Sequence, residues 1–294
     1  MSKLPDYFHT VIPIDAARLW IESGRAVVID CRFELSDPDA GRAMYRARHL
    51  PNAVYWDLER DLSGAKTGTN GRHPLPTLED FAALIARAEI TPQKQVILYD
   101  EWDGLNASRA WWLLQAAGYE AAAVLDGGLK AWIQAGLPLT KEEPIPPFRI
   151  QPPTLTHWRL PIVDTETVLA EMNRPEVLLL DARAQERHRG EVEPFDPVPG
   201  HIPGSANRFF RANVDSKAFR FLPPEQLQEE FTALLAGRAP ESVIHYCGSG
   251  VTACHNILAM VHAGFPFGRL YPGSWSEWCA DPSRPVCCPA ADTH

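Results

Sequence analysis

No stretch of the sequence is apolar for the roughly 20 residues that a membrane-spanning helix needs. The N-terminal MSKLPDYFHT lacks the apolar core of a secretory signal. The protein is therefore expected in the cytoplasm, without a membrane partner. Positive charge is also scarce. The 28 Lys and Arg against 37 Asp and Glu leave a formal net charge of -9. That excludes a general nucleic-acid partner and leaves room only for a local basic pocket. Cys-x-x-Cys pairs and His pairs at ligand spacing are missing, so no metal site is expected. No glycine-rich nucleotide fingerprint precedes a helix, so no cofactor is expected either. The cysteines at 31, 247, 254, 279, 287 and 288 are too unevenly spread for a disulfide framework. In a reducing compartment they read as free thiols, and the adjacent Cys287 and Cys288 as structural or incidental.

What is present is a globular composition, 45% hydrophobic and 22% charged, in a chain of 294 residues, long enough for two domains. An internal repeat decides the architecture. VVIDCR ending at Arg32 returns as LLLDAR ending at Arg183, and HLPNAVYWD from His49 returns as HIPGSANRF from His201. VILYD ending at Asp100 returns as VIHYC ending at Cys247, and LDGGLKAW ending at Trp132 as YPGSWSEW ending at Trp278. The offsets of 151, 152, 147 and 146 residues keep one order along the chain, so the repeating unit is a whole domain.

Each copy alternates short apolar runs with helical stretches. AVVID, EVLLLD, VILYD and SVIHYC have strand length. NASRAWWLLQAAGY, TACHNILAMVHAGF, PPEQLQEEFTALLAG and TLEDFAALIARAEI, the last capped by Thr77, have helical length. This pattern predicts an α/β fold of two domains, each a mostly parallel sheet covered by helices on both faces. Between the copies, LPLTKEEPIPPFRIQPPTL holds six prolines and no apolar period. The expected division is a first domain over 1–140, a Pro-rich linker over 141–156 and a second domain over 157–294.

Cys247 is read as the last residue of a strand, with a helix opening shortly after it. Gly248 and Gly250 let the loop curl through torsions closed to other residues. Such a loop at a helix N-terminus turns several backbone N–H groups towards one point. Those donors favour a thiolate, and they would also hold a negative sulfur attached to it. The loop therefore suits a cysteine that accepts one sulfur atom and carries it as a persulfide.

The heptad CGSGVTA, with GHIPGS, DAR and GSWSEW around it, resembles the tandem-domain rhodanese-type sulfurtransferases, and lies nearest their 3-mercaptopyruvate sulfurtransferase branch. The resemblance covers both halves of the chain. It implies two rhodanese-like domains, of which only the second is catalytic. Cys247 takes a sulfane sulfur from a small-molecule donor and passes it to cyanide or to a thiol acceptor such as thioredoxin or a small thiol. Gly248, Gly250, Val251 and Thr252 complete the active-site loop. Asp100 stands where Cys247 stands, cannot form a persulfide, and marks the first copy as catalytically inactive.

Between Cys247 and the helix there is no cationic residue, which disfavours a thiosulfate dianion. Cleaving the C–S bond of 3-mercaptopyruvate leaves an enolate that must be protonated, and the Ser249 hydroxyl is placed for that. By the resemblance, Ser249 is grouped with His73 and Asp61, a carboxylate orienting an imidazole that relays a proton. Arg187 matches a substrate-binding arginine of the family. Where the branch carries a second arginine this chain has Phe195, for which Arg189 is the candidate substitute. The duplicated Asp181–Arg183 and Asp30–Arg32 pairs read as structural. So do His49, His201 and the tryptophans 111, 112, 132, 275 and 278, and Met260 continues the apolar face of its helix. Cys254, seven residues after Cys247, is not expected to pair with it. A cysteine phosphatase would need arginine where Ala253 stands. The alternatives are a thiosulfate sulfurtransferase and a non-catalytic persulfide-carrying or partner-binding protein.

Overall fold

The β-branched and aromatic runs form strands in the computed structural model, which describes residues 6–144 and 150–288. Part of the expected linker, 145–149, thus lies outside the described residues, while 150–156 carry no helix or strand. In the first copy the strands are β1 (Val11–Ile12), β2 (Ala26–Asp30), β3 (Ala53–Tyr55), β4 (Gln95–Tyr99) and β5 (Ala122–Leu125). They form one sheet in the order β1-β5-β4-β2-β3, every pairing parallel. The second copy has β6 (Leu178–Asp181), β7 (Ala206–Asn207), β8 (Val243–Tyr246) and β9 (Arg269–Leu270), ordered β7-β6-β8-β9 and again parallel. Ile162 adds a parallel bridge to Leu270, the place that β1 takes beside β5. The two sheets therefore share one topology, as the repeat requires.

Parallel strands need crossover connections, and helices supply them. Ala107–Ala116 follows β4 and Thr252–His262 follows β8. The first is buried at every position, Arg109 and Gln115 included, and the second from Ala253 to Met260, His255 and Asn256 included. Thr77 caps Leu78–Arg87 by accepting from the Asp80 N–H at 3.0 Å. Trp111, Trp112, Trp132, Trp275 and Trp278 are all buried. Trp132 and Trp278 occupy equivalent places, their indole N–H groups donating to the carbonyls of Pro138 and Pro285.

The repeated carboxylate–arginine pairs are buried fixtures. Arg32 meets Asp30 at 2.6 Å and Arg183 meets Asp181 at 2.7 Å. Each guanidinium also donates to a distant carbonyl, of Arg48 and Gly200 respectively. Burial alone would raise the Asp181 carboxyl, but the Arg183 charge and the hydrogen bonds from His188 and Arg183 hold it well below the usual carboxylate range. His49 is sealed against Tyr45, and His201 stacks on His188 at 3.8 Å between centroids. These are packing roles, as duplication suggested.

The chain divides into two compact units. One comprises Met1–Gly64, Pro76–Arg159 and Val214–Phe221. The other comprises Ala65–Leu75, Leu160–Asn213 and Leu222–His294. The second unit thus includes a segment from the first half of the sequence. The Arg72 N–H donates to Ser276 Oγ at 3.0 Å, and Gly71 packs so tightly on Gly273 that a side chain there would meet the Gly273 carbonyl at 2.7 Å. That segment carries His73 into the unit that holds Cys247. No described helix is long and apolar enough to cross a membrane.

Candidate active site

β8 ends at Tyr246, so Cys247 is the first residue of the loop rather than the last of the strand. The loop is pinned from behind. The N–H groups of Trp275 and Ser276 donate to the carbonyls of Cys247 and Gly248, both at 2.9 Å. Gly250 takes φ +78°, and a Cβ there would also collide with the Pro272 carbonyl, so glycine is required twice over. Gly248 is not in that left-handed region, contrary to the expectation that both glycines serve torsion. Its bare Cα instead leaves room for charge: a methyl group there would lie 2.9 Å from Arg72 Nη2 and 3.4 Å from both terminal nitrogens of Arg187.

The Cys247 side chain is buried, and the Gly250 N–H donates to its Sγ at 3.1 Å. The helix opens only at Thr252, after Val251, so it is the curl at Gly250 that aims this N–H at the sulfur. The Cys247 N–H donates to Ser274 Oγ at 3.1 Å, and the Ser274 hydroxyl donates on to the Tyr271 carbonyl. Ser274 holds φ 54°, a left-handed torsion that its first-copy counterpart Gly128 adopts without strain. The second copy accepts that strain and gains a hydroxyl behind its cysteine. Reading the sequence alone leaves Ser274 unmarked, although its alignment with a glycine was visible. Cys254 Sγ donates to the Gly250 carbonyl at 3.3 Å, bracing the loop rather than forming a disulfide.

Ser249 and His73 come together: Ser249 Oγ and His73 Nδ1 share a hydrogen bond of 2.7 Å, and both residues are buried. Asp61 belongs to the first compact unit. Its oxygens accept from the Asp57 N–H at 2.8 Å and from Arg87 at 3.3 Å, and burial raises its carboxyl above the ordinary value.

The expectation of an uncharged loop needs correction. No cation lies within its sequence, yet two guanidiniums are held over Gly248. Arg187 pairs with Glu193 at 2.7 Å and with Asp196 at 3.3 Å, and Arg72 pairs with the other oxygen of Asp196. Both guanidiniums lie over the Phe195 ring, at 5.0 and 5.8 Å. Arg189 is not brought here. It follows a four-residue helix, Gln185–His188, as its C-cap, is exposed, and pairs with exposed Glu191 at 3.7 Å. The charge argument against thiosulfate therefore loses its premise, since the cations arrive from elsewhere in the chain.

Asp100 explains how the first copy closes the equivalent loop. Its carboxylate accepts from the N–H groups of Trp102, Gly104, Asn106 and Ala107, at 2.9 to 3.2 Å. A fixed side-chain anion thus fills the place that the Cys247 sulfur takes in the second copy. Burial, with the Asp103 charge adding to it, pushes the carboxyl up to about 6, against the pull of the backbone donors. A raised carboxyl binds its proton more tightly in the folded state, so its contribution to stability is greatest below the unfolded value of 3.8 and is lost as pH rises towards 6. Urea unfolding of wild type and Asp100→Asn should therefore diverge with pH. Between pH 4 and 6 wild type should lose about 2 kcal/mol relative to the variant. Parallel curves would refute this.

Among the described residues no group of three or more His, Cys, Asp or Glu is arranged to hold a metal ion. Residues 14–135 and 164–281 each match the family model of the rhodanese-like domain. A Pseudomonas aeruginosa protein bearing the name "Probable 3-mercaptopyruvate sulfurtransferase" is 50% identical over 265 residues, 88% of this chain and 91% of its own length. The thiosulfate sulfurtransferase of Cricetulus griseus is 34% identical, covering 85% of this chain and 84% of its own. The structure of 3-mercaptopyruvate sulfurtransferase from Leishmania major superposes with a TM-score of 0.80 at 28% identity, over 93% of this chain and 75% of that one.

Proposed function

As the chain belongs to the rhodanese-like domain family, whose full-length relatives here are sulfurtransferases, we propose that it moves a sulfur atom from 3-mercaptopyruvate through a Cys247 persulfide to a thiol or cyanide. The observation that carries the choice of donor is the 2.7 Å pair of Ser249 and His73, a proton relay on the same loop as the sulfur.

The Cys247 thiolate attacks the donor sulfur. The new S–S bond forms as the C–S bond breaks, and the departing electron pair becomes the enolate of pyruvate. Ser249 gives its proton to that carbon, and His73 replenishes the serine. Asp61 orients the imidazole in this reading. The loop Gly248, Gly250, Val251 and Thr252 cradles the outer sulfur, with the Gly250 N–H on the inner one. An acceptor thiolate, of thioredoxin or a small thiol, then attacks the outer sulfur and Cys247 leaves as the thiolate. Arg187 binds the donor's carboxylate. Residues 157–294 hold the sulfur-carrying cysteine, and residues 1–140 form the domain without one, lending His73 to the site from the segment Ala65–Leu75. The work is assigned to the cytoplasm, in keeping with six free cysteines.

Thiosulfate is the second reading, favoured by the two guanidiniums over Gly248. Against it, Glu193 and Asp196 offset those charges and leave little net attraction for a dianion. The test is kcat/KM for the two donors, followed as pyruvate and as sulfite. The expected ratio favours 3-mercaptopyruvate by at least about tenfold, or about 1.4 kcal/mol of transition-state stabilisation. A ratio reversed in favour of thiosulfate would overturn the assignment, and one sulfur bound per chain without turnover would support a carrier.

A further inference from the structure

The branch that this chain resembles carries a second arginine where Phe195 stands, and Arg189 does not replace it. Arg72 reaches the same spot from a segment more than a hundred residues earlier. Its guanidinium and that of Arg187 share one aromatic ring, one carboxylate and one patch of backbone, at Gly248 between Cys247 and Ser249. Arg72 Nε is buried and has no hydrogen-bond partner among the described residues, which leaves an inward donor for a ligand.

We propose that Arg72 is the second guanidinium of the donor's carboxylate clamp, and that Asp196 stands in for the donor's carboxylate while the site is empty. A carboxylate bridging two guanidiniums is the contact that an α-keto acid offers, and Asp196 already makes it. Exchange of one monoanion for another leaves the charge of the site unchanged, whereas bringing in a dianion does not. Asp196 suits such a loose role, because burial raises its carboxyl and Glu193 repels it, although Arg72 and Arg187 attract it. The Phe195 ring contributes a cation–π contact to each guanidinium.

This rests on the proposed function, but its test does not need turnover. In a Cys247→Ser background, calorimetry measures the binding of pyruvate and of 3-mercaptopyruvate. Arg72→Gln should weaken both by about tenfold to a hundredfold, and Arg72→Lys by less. Adding Phe195→Arg to Arg72→Gln should restore most of the loss, and Asp196→Asn should tighten binding severalfold. Circular dichroism checks that each variant folds, and the lysine variant carries the test if the glutamine one does not. Unchanged affinity in the Arg72 variants, or no binding to the parent, overturns the clamp. Weaker binding in Asp196→Asn overturns the stand-in and makes Asp196 a brace. Arg72-dependent binding without pyruvate release by wild type would sink the donor assignment and leave the clamp intact.

Discussion

Cys247→Ser should abolish sulfur transfer, lowering turnover by a factor on the order of 10⁴ or more, with no loss of fold. A serine oxygen matches the sulfur in shape and can accept the Gly250 N–H, so the loop keeps its hydrogen bond. It cannot form a persulfide. Other cysteines should not substitute. Burial lifts the Cys31 thiol well above its ordinary value, with the charges of Asp30, Asp100 and Asp61 adding to it. Burial and the nearby Asp196 charge push Cys279 up to about 11. Both stay protonated near neutrality and so are poor nucleophiles. Mass spectrometry after addition of 3-mercaptopyruvate should find one extra sulfur on wild type, located at Cys247, and none on the variant. Sulfur gained elsewhere, or turnover surviving in the variant, would remove the foundation of the mechanism.

What the sequence made legible was whatever is local or repeated. Runs such as Ala26–Asp30 carry their period on their face, and repetition of Asp-x-Arg marked Arg32 and Arg183 as members of buried ion pairs. Cys247, Ser249 and Gly250 are contiguous, so their loop was readable. The short strands β1, β7 and β9 were not, because two residues make no period and owe their pairing to neighbours already in the sheet. Arg72 was invisible for a different reason. It is one arginine in a polar, glycine-bearing segment, and its importance comes from Asp196, Phe195 and Gly248, none near it in sequence. The misreading of loop charge has the same root: charge at a site is a property of space, and Cys247 to Thr252 supply only part of what surrounds the sulfur. Gly248 shows it most plainly, since its function is the room that it leaves for groups that only folding brings.

Ser249→Ala should lower turnover of 3-mercaptopyruvate by about 10² to 10⁴ while leaving thiosulfate turnover nearly unchanged. The asymmetry follows from the leaving groups. Attack on 3-mercaptopyruvate expels a carbanion equivalent that needs a proton at carbon, whereas attack on thiosulfate expels sulfite, a stable anion that needs none. Ser249 Oγ lies on the cysteine loop and is held by His73 Nδ1 at 2.7 Å, so the proton has a defined source and a defined route. His73→Asn should reproduce the selective loss, and the double variant should be little worse than either single one, because two members of one relay do not contribute independently. Persulfide discharge to a thiol, which needs no proton at carbon, should be spared in all three. Equal losses with both donors would mean that the pair only shapes the loop. In that case the preference for an α-keto acid would have to rest on the charge balance at the guanidiniums alone, where Glu193 and Asp196 leave little net attraction for a dianion.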